Sequence, residues 1–136
     1  MHIDGEMSGD AIRSSLDLAS RLLAPEGIVT VHGFFNVSYP QITREIFANL
    51  ERHPYRFSLF LSGYGKAYLC RPEYFRLYRR RCYEGLVASL DDVGFPTTLW
   101  KTAADRELGC LNLTARFEDL THRGPDVAPS FFDLES

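Results

Sequence analysis

The sequence has little that would indicate a disulfide-stabilised, zinc-bound or membrane-spanning protein. Its three cysteines, Cys70, Cys82 and Cys110, are odd in number and form no Cys-x-x-Cys pair, so neither a disulfide framework nor a zinc knuckle is indicated. The longest uncharged stretch, residues 27–43, is too short and too polar to span a bilayer. The first residues lack the basic start and apolar run of a signal peptide. We therefore expect a cytoplasmic protein with no membrane partner.

The chain also lacks an excess of positive charge. Its 15 Lys and Arg residues stand against 18 Asp and Glu residues, a formal charge of −3, which argues against general nucleic-acid binding. With 136 residues, 45% of them hydrophobic and 24% charged, the chain is long enough for one domain with its own core. We expect residues 1–123 to form this domain and residues 124–136 to be a loosely ordered tail.

One local group of basic residues departs from this balance. Five arginines are interleaved with tyrosines near the third predicted helix: Arg71, Arg76, Arg79, Arg80 and Arg81. Such a group could bind nucleic acid or a phosphorylated ligand, but a solvated helix face is the more common outcome.

Hydrophobic periodicity in the first third of the chain predicts a strand, a helix and a second strand. The first strand ends at Gly5, and a helix capped by Ser8 follows, with apolar residues repeating every three or four positions. This helix ends at Pro25. The β-branched run over residues 27–31 then predicts a strand buried on both faces.

The rest of the chain continues the alternation. A second helix with Pro40 in its first turn ends at His53, and residues 56–61 and 66–70 predict a β-hairpin. A third helix starts near Pro72, and residues 108–115 could form one more strand. This order predicts an α/β fold with helices on the sheet faces, parallel first strands and an antiparallel strand added by the hairpin.

The first strand ends in Asp4-Gly5, and the next follows Leu22-Leu23-Ala24-Pro25-Glu26-Gly27. This arrangement resembles the second half of a class I S-adenosylmethionine-dependent methyltransferase, over about residues 1–90. It is similar to the metal-assisted small-molecule O-methyltransferases, whose fourth strand ends in Ile-Asp-Gly-x-His. The resemblance implies a partial Rossmann-like sheet, S-adenosylmethionine as cofactor, and methyl transfer to a small hydroxylated molecule.

The same resemblance implies that the chain holds strands four to seven of that sheet. The family holds its cofactor with a Gly-rich turn after the first strand, and no such turn follows a strand and opens a helix here. The only Gly-x-Gly, Gly63-Tyr64-Gly65, lies between two predicted strands, so we interpret it as a hairpin turn.

The resemblance aligns Asp4 with the family's metal-ligand carboxylate. The next ligands would occupy the positions of His32 and Gly33, but glycine has no side chain and imidazole is a poor Mg²⁺ ligand. Met7 and Gly9 replace the subgroup's histidine and a later aromatic residue. These departures argue against a magnesium site, and without the resemblance Asp4 would be interpreted as a turn former.

Two further groups of candidates follow the second predicted strand. His32 is the candidate catalytic base, since an imidazole titrates near neutral pH; alternatively it caps the strand end. Phe34, Phe35 and Tyr39 could line an apolar acceptor pocket, or could belong to the core or an interface.

Two hypotheses about function follow. In the first, the chain is part of an O-methyltransferase whose missing cofactor half comes from a second polypeptide or an unusual dimer. In the second, it is a non-catalytic, truncated methyltransferase-like module. The open edge of the first strand would then pair with a second copy to form a homodimer. A Gly-rich cofactor turn would favour the first hypothesis.

Overall fold

The computed structural model describes residues 1–101 and 109–116. The helices are α1 Gly9–Leu22, α2 Pro40–Arg52, α3 Phe75–Arg81 and α4 Val87–Asp92; the strands are β1 His2–Ile3, β2 Ile28–His32, β3 Ser58–Gly63, β4 Lys66–Cys70, β5 Thr97–Lys101 and β6 Leu111–Ala115. The α/β class is confirmed. The predicted tail, residues 124–136, lies outside the described residues.

The six strands of the described residues form one mixed sheet in the order β1-β2-β4-β3-β6-β5. β1 is parallel to β2, and β3 is parallel to β6. β4 lies between β2 and β3 and is antiparallel to both, so that Leu69 is opposite Val29 on one side and Leu59 on the other. The parallel first strands and the antiparallel hairpin strand are therefore confirmed.

Helix α1 forms where the sequence predicts it. The backbone N–H of Ala11 donates to the Ser8 hydroxyl at 3.2 Å, which satisfies one of the free donors at the helix start. Ile12, Leu16 and Ala19 are fully buried because their spacing places them on one helix face. This face packs on the sheet and joins α1 to the larger of two core clusters.

Helix α2 covers the same face of the sheet as α1. It begins at Pro40, whose missing N–H costs nothing in the first turn. Ile42 and Ile46 are fully buried in the core that also contains Val29 and Val31 of β2. The neighbouring residues Ile28 and Thr30 of β2 are only half-buried, so the prediction of full burial on both faces holds for one face only.

The predicted third helix is interrupted. After a 3₁₀ turn at Pro72–Tyr74, α3 gives way to a π-helical turn at Cys82–Leu86, and α4 continues from there. A π turn bonds each N–H one residue further back and widens the helix locally. Tyr78 and Cys82 nevertheless both pack against the core cluster on the second face of the sheet, where the ring centroids of Tyr78 and Phe60 are 5.4 Å apart.

The sequence did not predict β5. It is an edge strand in which only Thr97 and Leu99 are buried, so its apolar pattern is short. Within the described residues β6 begins at Leu111, inside the segment 108–115 that the sequence indicated.

A buried carboxylate joins α1 to α2. Glu45 is 4% exposed, and its oxygens accept hydrogen bonds from Arg13 at 3.1 and 3.2 Å and from Arg44 at 3.2 Å. Burial by itself raises the pKa of Glu45, but the two guanidinium groups outweigh it and hold that pKa below the ordinary value. The ionised carboxylate therefore stabilises the fold.

We expect Glu45→Gln to lower the free energy of unfolding at neutral pH by about 1–3 kcal/mol, because the arginines lose a charged acceptor. The folded-state pKa is depressed, so this stabilisation is complete above the unfolded pKa and is lost as pH falls through the folded pKa. Urea unfolding at several pH values measures both effects. Glu51→Gln, an exposed change on the same helix, is the control; equal losses in the two variants would contradict the account.

Candidate functional site

Asp4 and His32 end neighbouring parallel strands. Asp4 directly follows β1, and His32 is the last residue of β2. Because Ile3 is in register with Val31, Asp4 and His32 lie side by side at the carboxyl ends of these strands, where open α/β sheets bind ligands. Asp4 is exposed and His32 is half-buried. Their catalytic and metal-binding roles remain predictions.

The donor set at this edge does not fit a magnesium ion. A hard cation takes several oxygen ligands, and of the sequence-predicted ligand positions only Asp4 supplies carboxylate oxygens. Across the part of the chain that the structure describes, no three His, Cys, Asp or Glu side chains form a group that could hold a metal.

Gly33 has a packing role in the turn after β2. Its φ is +87°, and a Cβ atom there would lie 2.5 Å from Cδ1 of Ile42. This conformation lets the N–H groups of Gly33 and Phe34 donate to the carbonyl of Gly65, at 2.8 and 3.0 Å. The end of β2 is thereby tied to the β3–β4 hairpin turn.

The three aromatic candidates have different surroundings. Phe34 is buried, and the centroid of its ring lies 4.3 Å from that of Phe35 and 5.7 Å from that of Phe47. Phe35 is 67% exposed. Both line a cavity of about 330 Å³. Tyr39 precedes α2, is exposed, and is not among the residues that line this cavity. Substrate binding by the three residues remains a prediction.

This cavity lies at the carboxyl ends of β3 and β6, beside the turn after β2. Ser62 and Asn112 are opposite each other in these strands, and the Ser62 hydroxyl donates to Oδ1 of Asn112 at 3.2 Å. Thr114 accepts a hydrogen bond from the Trp100 indole at 2.8 Å. Sequence reasoning missed these polar residues, because Ser62 and Asn112 are 50 positions apart and only strand pairing brings them together.

The Gly-x-Gly segment is a hairpin turn, as predicted. Tyr64 and Gly65 connect β3 to β4 with φ values of +52° and +70°, as in the two-residue turns with left-handed central residues. Gly63 serves packing, since a Cβ atom there would lie 2.5 Å from the carbonyl oxygen of Leu113 in β6. Gly63 thus permits the close approach of β3 and β6.

Arg71 has a structural role, unlike a residue of an open basic surface. Its guanidinium donates to the carbonyls of Ser20 and Leu23 at 2.9 and 3.0 Å and lies 5.9 Å from the centre of the Phe57 ring. It therefore anchors the end of α1. The exposed arginines of the group are Arg76, Arg80 and Arg81.

The buried thiols are unsuited to nucleophilic chemistry. Burial, with a smaller contribution from the charge of Glu73, raises the pKa of Cys70 to about 12. Burial also raises the pKa of Cys110 to about 11. Both thiols are therefore protonated at neutral pH, whereas the thiolate is the nucleophile.

Comparison with known proteins gives no further guidance. No protein-family model, no curated protein and no solved structure matches this chain.

Among the described helices, none combines the length and apolar character needed to cross a membrane.

Gly63→Ala tests whether this glycine serves strand packing. We expect a loss of at least about 2 kcal/mol in the free energy of unfolding, because the new methyl group would overlap the carbonyl of Leu113. Gly85→Ala is the control, since a Cβ there meets nothing within 4 Å and alanine favours a helix. Chemical denaturation compares them, and a Gly63→Ala protein as stable as the parent would contradict the packing role.

Proposed function

We propose that this chain is a methyltransferase-like protein that uses S-adenosylmethionine to methylate a hydroxyl group of a small molecule. The observation that supports the proposal is the strand arrangement. β1 and β2 are parallel and connected through α1, and a hairpin adds the antiparallel β4. This is the succession that the resemblance implies for the second half of such a domain.

In this proposal the residues at the ends of β1 and β2 act on the acceptor. His32 accepts the proton that the acceptor hydroxyl loses, a role that suits a half-buried imidazole at a strand end. Asp4 orients the acceptor or a water molecule beside it. Most of the rate enhancement comes from holding the reacting atoms in line.

The described residues do not by themselves fit the nucleoside cofactor. A dinucleotide-type site needs glycines where a strand turns into a helix, so that the backbone can approach the ligand closely. Here Gly63 contacts β6 and Gly33 contacts α2. The cofactor site is therefore proposed to lie between two copies of this chain in a dimer, without the usual Gly-rich turn.

Calorimetric titration of S-adenosylmethionine and of its demethylated product tests the enzymatic proposal. We expect saturable binding of both in the micromolar range. With binding established, His32→Ala should lower methyl transfer to small phenols by about 100-fold or more, because the base is lost.

The control is His53→Ala, which removes an imidazole at the end of α2 and should leave the rate unchanged. Absence of heat with either ligand, on a sample shown to be folded by circular dichroism, would contradict the proposal for this chain.

The open edge of β1 favours a second candidate, a non-catalytic dimerisation module. β1 ends the described sheet. The Met1 amino group donates to the Ile28 carbonyl at 2.7 Å, and the Thr30 N–H donates to the Met1 carbonyl at 2.9 Å. Successive residues of a strand present their backbone groups to opposite sides, so the N–H and C=O of His2 face the open edge. A second copy could pair there around a two-fold axis.

His2→Pro tests this pairing. Proline removes the outward N–H of β1 but leaves the bonds of Met1 to β2 in place, so we expect the variant to be monomeric where the parent is dimeric. His2→Ala keeps the N–H and should remain dimeric. Light scattering at micromolar concentration gives the mass; a parent protein that is already a monomer would contradict the module.

A further inference from the structure

The cavity over β3 and β6 carries two strained aromatic residues. Among the described residues, Phe35 and Tyr64 are the non-glycine residues with left-handed φ values, +56° and +52°, and both line this cavity. Such a conformation costs about 1–3 kcal/mol and is concentrated at ligand-binding sites. At the position of Tyr64, two-residue hairpin turns favour asparagine, aspartate or glycine. The Phe35 ring also contacts those of Phe34 and Phe47, and the Tyr64 ring contacts that of Phe95. Phe35 nevertheless stays 67% exposed and Tyr64 45% exposed, so each ring keeps a surface that a ligand can contact.

The polar wall of the cavity offers hydrogen-bond donors. Ser62 is 6% exposed, and its hydroxyl donates to Oδ1 of Asn112, which fixes the orientation of that amide. The NH₂ group of Asn112 then has no acceptor among the residues that the structure describes. The Thr114 hydroxyl accepts from Trp100, so its own proton is also available to a ligand.

The charge of the lining matches the donors. Lys66 contributes a cation, and no Asp or Glu is present among the described residues that line the cavity. Lys66 forms no ion pair within the described part of the chain. Hydrogen-bond donors and a cation favour a ligand that carries negative charge, and the aromatic rings favour a planar ring.

We infer that this cavity binds a small planar aromatic carboxylate. The ring of the ligand lies against Phe35 and Tyr64, and its carboxylate accepts a hydrogen bond from the amide of Asn112. A volume of about 330 Å³ is at the lower end for ligand pockets and suits one ring better than a nucleoside. The cavity lies between the ends of β3 and β6 and the turn after β2, and its lining includes neither Asp4 nor His32. The inference therefore does not depend on methyl transfer.

Benzoate is the probe, and the fluorescence of Trp100 is the readout, because its indole is bonded to Thr114 in the cavity wall. We expect a saturable fluorescence change with benzoate and at least about tenfold weaker binding of benzylamine, which has a similar ring and the opposite charge. Ligand-observed NMR checks the titration independently. Equal affinity for the two compounds, or no binding of benzoate by either method, would overturn the inference.

Two variants place the ligand. Asn112→Leu removes the amide donor and should weaken benzoate binding about tenfold. Tyr64→Asn removes the ring but provides a residue that suits the left-handed turn, so it should weaken binding about fivefold without lowering the thermal midpoint by more than a few degrees. If Asn112→Leu fails to fold, the benzoate affinity of Tyr64→Asn by itself tests the position of the ligand.

The matched control is Tyr55→Asn, which makes the same change at a tyrosine that is 90% exposed and does not line the cavity. It should leave the affinity for benzoate unchanged. If Tyr64→Asn and Tyr55→Asn bind benzoate equally well, the proposed position of the ligand is wrong.

Discussion

The structure depends on the pairing of β4 with two strands at once. β4 is antiparallel to both β2 and β3, and its residue Leu69 is opposite Val29 and Leu59; all three belong to one buried core. β1 and β2 lie on one side of it; β3, β6 and β5 lie on the other. Within the sheet, the two halves are therefore connected through this one strand. The backbone N–H and C=O groups of β4 are hydrogen-bonded to β2 on one side and to β3 on the other.

The position of β4 also decides where ligands can bind. Its hairpin turn supplies the Gly65 carbonyl that holds the N–H groups after β2, which brings Phe34 and Phe35 beside the ends of β3 and β6. A cavity forms there, and its lining includes neither Asp4 nor His32. The backbone strain at Tyr64 is tolerated because the flanking strands are held in register by buried residues.

Local signals predicted much of this fold. The Ser8 cap and the spacing of Ile12 and Leu16 are sufficient to place α1, because capping and periodicity act within a few residues. The two glycines that flank Tyr64 are likewise sufficient for the hairpin. The π-helical turn at Cys82–Leu86 was missed, because the apolar spacing there is also compatible with one continuous helix. The edge strand β5 was missed because it buries few side chains. The cavity could not be predicted from the sequence, because it forms only when β3 pairs with β6, and these strands are far apart along the chain.

Amide hydrogen exchange of β4 tests the central claim most directly. If β4 joins the two halves, the amides of Ala67–Leu69 should be among the slowest to exchange and should open together with those of β2 and β3, in one global unfolding event. All of them should then report the same free energy of opening. The account is contradicted if the amides of β3 and β6 exchange through an opening that leaves β1 and β2 protected, because the two halves would then be stable independently.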